Sequence, residues 1–118
     1  MKEAKLRGII YNLSMKFEVS EPNLWLVYNL PSEGVPKGYS LNKHGHGFYN
    51  PDEKEIVIEI YKPTDGKKYS AKAIFHCLAH EFVHHLEYTK IGICSSHRGK
   101  FAAMVRKVKK IIKGFNND

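Results

Sequence analysis

Residues 80 to 84 read His-Glu-Phe-Val-His, and this spacing carries the most specific chemical signal in the chain. On a helix, side chains four apart project from one face about one turn apart. His80 and His84 so placed can offer two nitrogens to a single Zn²⁺ and fill two of its tetrahedral positions. Glu81 adjoins the first of them. A ligand role from that position is strained, so it suits a general base acting on water at the metal. The plainer reading is a polar helix face that happens to hold histidines. Against it stand Phe75, Leu78, Ala79, Phe82, Val83 and Leu86, which make the segment apolar enough to be buried. Buried Glu and His side chains are costly unless something satisfies them.

A catalytic zinc site has a third protein ligand and one open position. In the pattern H-E-x-x-H-x-x-G-x-x-H the glycine would fall on Glu87 and the histidine on Lys90, so that arrangement is excluded. The acids after His84 are Glu87, one turn on along the same helix, and Asp118, the last residue. Neither is well placed, which leaves His97 as the expected third ligand; the plainer alternative is a surface histidine near a helix start. His76 is one of three histidines at i, i+4 and i+8. A rise of about 12 Å separates it from His84, too far to share an ion. His85 is expected to point away from the site and be exposed, and His44 and His46 sit on a glycine-spaced turn.

The elements that must position these residues can be read from periodicity. Leu6, Ile9, Ile10, Leu13 and Phe17 recur at helical spacing near the N-terminus. Short strands are expected over residues 24–28, 39–42 and 48–49, with the strongest over 56–61, where Ile56, Ile58 and Ile60 share a face. The prolines and glycines of 31–38 predict a loop, and Asn50-Pro51-Asp52 a turn. Ser70 is a plausible N-cap for a helix running to about Lys90, with Gly92 as its stop. A last helix from Ser95 or Ser96 to Gly114 carries Phe101, Met104, Val105, Val108, Ile111, Ile112 and Phe115 as one stripe. The expected fold is a single α+β domain over residues 1–118. Its order is an N-terminal helix, a small mostly antiparallel sheet of about three to four strands, an active-site helix and a C-terminal helix.

His80-Glu81-Phe82-Val83-His84, followed by His97-Arg98-Gly99-Lys100-Phe101, resembles the SprT-like (Spartan-type) zinc metallopeptidases. The segment from Gly47 to Ile60 also resembles that family's hairpin and strand before the active-site helix, so the likeness spans about residues 38–110. In the family's H-G-x-x-F pattern the histidine is the third ligand and the aromatic is buried. Here Arg98 stands where glycine often follows the histidine. The resemblance implies a zincin with one Zn²⁺ on His80, His84 and His97, Glu81 as catalytic base, and a protein or peptide substrate. Tyr39, His46, Tyr49, Tyr88 and Arg98 are the candidates for a further donor to the oxyanion or the substrate, and residues 56–61 for a strand edge that pairs with it. The alternatives are a minigluzincin-type peptidase with another third ligand, and a nucleic-acid-binding protein whose zinc is structural.

Charge adds a second theme. The 118 residues carry 19 Lys and Arg against 12 Asp and Glu. Seven of those bases, and no acid, lie in residues 98–113, so the net +7 belongs to that one segment. Lys100, Arg106, Lys107, Lys109, Lys110 and Lys113 face outward from its apolar stripe. They form either a solvated face or a contact surface for DNA or RNA phosphates. No apolar run approaches a membrane span, and the N-terminal residues lack the pattern of a secretory signal. Cys77 and Cys94 build no disulfide framework, so a reducing, cytoplasmic setting is expected.

Overall fold

A computed structural model describes residues 3–28, 47–61, 66–92 and 99–116. The loop expected over 31–38 and the strand expected over 39–42 lie outside these residues. Helix α1 (Glu3–Phe17) forms on the expected stripe: Leu6, Ile9, Ile10 and Leu13 are all buried in the main core. It closes at Glu18, whose φ of 56° is left-handed, and the Val19 N–H donates back to the Ser14 carbonyl at 3.0 Å.

Three strands follow: β1 (Asn23–Val27), β2 (Gly47–Asn50) and β3 (Glu55–Glu59). Their order is β1-β3-β2, with β1 parallel and β2 antiparallel to β3. Among the described residues the sheet is therefore mixed, where a mostly antiparallel one is expected. The turn over 51–54 forces β2 and β3 into a hairpin, and Asn50 Oδ1 holds it by accepting the Asp52 N–H at 3.0 Å. The long connection after β1 imposes no such direction.

The second correction concerns β3. It is the central strand, paired on both sides over Glu55–Ile58 and with β1 at Glu59, so it offers no free edge over Glu55–Ile58. Its residues explain this. Ile56, Val57 and Ile58 are completely buried, and a run of β-branched residues apolar on both faces belongs in mid-sheet. Ile56, Ile58 and Ile60 join the main core with the helices, whereas Val57 packs with Val27 in a smaller cluster.

Helix α2 (Ala71–Ile91) starts and stops as expected. Ser70 Oγ accepts the Ala73 N–H at 3.1 Å, and Gly92 at φ 78° returns its N–H to the Tyr88 carbonyl at 2.8 Å. The helix lies against β2 and β3 on one side and against helix α3 (Lys100–Asn116) on another. That double cover buries almost everything from Cys77 to Leu86. Helix α3 buries Phe101, Val105, Val108 and Ile112, as its stripe predicts. Among the described residues it begins at Lys100, and it ends two residues later than the expected Gly114. Gly99 takes φ 59°, and its carbonyl accepts the first intrahelical bond, from Ala103; the expected starts at Ser95 and Ser96 lie outside the described residues.

Candidate metal centre

The sequence places two imidazoles and a carboxylate on one helix, and the packing decides what surrounds them. Glu81 is 7% exposed and His84 9%, while His80 is half-buried. One ligand atom from each of His80, Glu81 and His84 can be chosen so that all lie within 4.8 Å of one another. The imidazole centroids stand 5.0 Å apart at 77°, edge to face. These three residues can hold a metal ion. Two neutral ring nitrogens beside a carboxylate oxygen are a donor set that suits a borderline-soft dication such as zinc.

Phe101, at the start of α3, fixes the pair from above. Its ring lies 5.0 Å from that of His80 and 4.5 Å from that of His84, and the residue is 2% exposed. One aromatic side chain thus packs against both imidazoles. His97 and Arg98, like Tyr39, His44 and His46, lie outside the described residues. The chain between His97 and Phe101 reaches at most about 14 Å.

Beneath the site, β2 presses on α2. A Cβ at Gly47 would overlap Cys77 Sγ and stand 3.3 Å from Glu81 Oε2. Glycine is required because only hydrogen leaves room for the strand. Burial pushes the Glu81 carboxyl up to about 8, since an ionised carboxylate out of water costs several kcal/mol without a positive partner. A cation on the histidines is such a partner. Burial, together with the charges of Glu81 and Glu59, drives the Cys77 thiol well above its ordinary range. Cys77 is not among the residues whose donor atoms converge, and its sulfur packs against the backbone at Gly47.

The buried Glu59 and the glycine at position 47 were both missed by spacing arguments. The signal for Glu59 was one charge inside Ile-Val-Ile-Glu-Ile, and for Gly47 a glycine opening a strand.

His85 is a clear correction: it is fully buried, not exposed. Its Nε2–H donates to the Ser20 carbonyl at 2.7 Å, which leaves Nδ1 to accept the Tyr49 O–H, also at 2.7 Å. Position 85 does turn away from the metal face, but it turns toward the segment joining α1 and β1 rather than toward solvent. The Tyr49 hydroxyl, one of the expected oxyanion donors, is engaged in this contact. Tyr88 packs its ring 6.5 Å from that of Tyr49 and lines a ≈360 Å³ cavity with Ser20 and Lys54. His76 is exposed.

No protein family, curated protein or solved structure matches the chain. Among the described residues no helix is long and apolar enough to cross a membrane.

Proposed function

We propose that the protein is a zinc-dependent peptidase of the SprT-like kind, with His80, His84 and His97 as ligands and Glu81 as general base. The observation that carries this reading is the convergence of His80, Glu81 and His84 donor atoms within 4.8 Å on a helix buried on two sides. Zn²⁺ bound there would supply a Lewis acid that acidifies water and polarises a carbonyl. Phe101 packs its ring against both imidazoles. Glu81 takes the proton of the attacking water and returns it to the leaving amine. His97 lies within chain reach of Phe101 and completes the donor set. With β3 paired on both sides, substrate pairing passes to β2, whose Gly47 stands against the Glu81 carboxylate.

The test is Glu81→Gln assayed on an unfolded protein substrate after zinc loading. The variant keeps its metal and loses hydrolysis by about 100-fold or more. Unchanged proteolysis would remove the catalytic assignment.

A further inference from the structure

We infer that the cavity between the end of α1, the turn joining β2 to β3 and the last turn of α2 binds a small apolar zwitterion, a molecule with a free ammonium and a free carboxylate. The cavity measures ≈360 Å³, and its lining includes Glu18, Val19, Ser20, Lys54, Tyr88 and Lys90. That volume is within the range of small-molecule sites.

Backbone conformation singles this cavity out. Five described residues have a left-handed φ. Gly66, Gly92 and Gly99 meet it with glycine, and none of them lines the cavity. Glu18 (φ 56°) and Lys54 (φ 48°) meet it with a side chain, and both line the cavity. Glu18 closes a helix and Lys54 a hairpin turn, two places where glycine is the ordinary choice. A Cβ there carries a steric cost that glycine escapes. Both times the side chain sets a charge on this cavity, one of each sign. Residues held in costly conformations concentrate at ligand-binding and active sites.

The charges are arranged for a partner from outside. Among the described residues Glu18, Lys54 and Lys90 take part in no ion pair. Two lysines against one glutamate leave a net +1. The C-terminal ends of α1 and α2 both lie at the cavity and contribute about −0.5 each. The sum is near zero, with the signs set apart. A polyanion needs a net positive lining and a dication a net negative one; a zwitterion matches separated charges of zero sum. Its ammonium meets Glu18 and its carboxylate meets Lys54 and Lys90, while Val19 and the Tyr88 ring offer apolar surface to its side chain. The walls are anchored beforehand, which lowers the cost of ordering a ligand. The Ser20 carbonyl accepts the His85 Nε2–H at 2.7 Å, and the Lys54 carbonyl accepts the Asn23 N–H at 2.9 Å. None of His80, Glu81 or His84 lines the cavity, so binding here does not depend on peptidase chemistry there.

A free amino acid and a short peptide with both ends free share this chemistry. The experiment is isothermal titration calorimetry at neutral pH with L-phenylalanine and, separately, with the dipeptide L-phenylalanyl-L-leucine. At least one binds with a Kd of about 1 mM or tighter, as expected for ligands of this size, and the tighter one identifies the source. 3-Phenylpropionate lacks the ammonium and phenethylamine lacks the carboxylate; each binds about fivefold more weakly than L-phenylalanine. Glu18→Gln weakens L-phenylalanine about fivefold and leaves 3-phenylpropionate unchanged, because only the ammonium meets that carboxylate. Glu18→Gly loses the same affinity yet raises the urea midpoint, since glycine relieves the left-handed φ. Glu81→Gln gives the wild-type curves. No binding of either zwitterion at about 10 mM would overturn the inference. So would equal affinity for the one-charge analogues, an equal effect of Glu18→Gln on L-phenylalanine and 3-phenylpropionate, or a lowered urea midpoint in Glu18→Gly.

Discussion

Gly47 shows how far single atoms decide this site. The strand it opens sits so close to α2 that a methyl group would overlap Cys77 Sγ. Gly47→Ala should therefore cost about 1–3 kcal/mol by overpacking. The same change made in a Cys77→Ala background should cost much less, because the sulfur is gone. Urea unfolding of the four proteins measures this coupling, and additive effects would show that the two residues do not meet. His85 makes the complementary point about polar atoms. Its neutral ring is held by a donor from Tyr49 and an acceptor at Ser20, and burial lowers its affinity for a proton. Tyr49→Phe leaves a buried Nδ1 without that donor, at a cost of about 1–3 kcal/mol in urea unfolding. A cost near zero would show that the hydrogen bond contributes nothing net.

Among the elements, α2 is the one from which the site is built. Its ends were legible because capping chemistry is local: a serine oxygen for an open N–H, and a glycine for a left-handed φ. Ser70→Ala should cost about 1 kcal/mol of stability, read as a lowered denaturant midpoint with an unchanged slope. Its interior was legible only in part. Periodicity identified Phe82 and Leu86 as buried, yet it placed His85 in solvent, because one helix face cannot reveal that α1, the sheet and α3 enclose the helix on several sides. The strands show the same limit. The β-branched run of β3 announced a strand, whereas its central position depended on β1 pairing across a long connection. For α3 the apolar stripe was read correctly, while its expected start at Ser95 or Ser96 lies outside the described residues.

At the scale of the molecule, the α+β order was recoverable from sequence, and so were the paired histidines with their glutamate. What sequence could not supply was the contact set that makes them a site: Phe101 across both rings and Gly47 under Glu81. Each of these depends on two elements distant in the chain. The central claim is that His80 and His84, with Glu81 beside them, hold one metal ion. Equilibrium dialysis against Zn²⁺ tests it most directly, comparing the wild type with His84→Ala after circular dichroism has shown both to be folded. The wild type should bind about one ion per chain and the variant should bind more than about 100-fold more weakly, beyond the range seen when only an outer partner of a ligand is lost. Wild-type affinity in the folded His84→Ala protein would contradict the account.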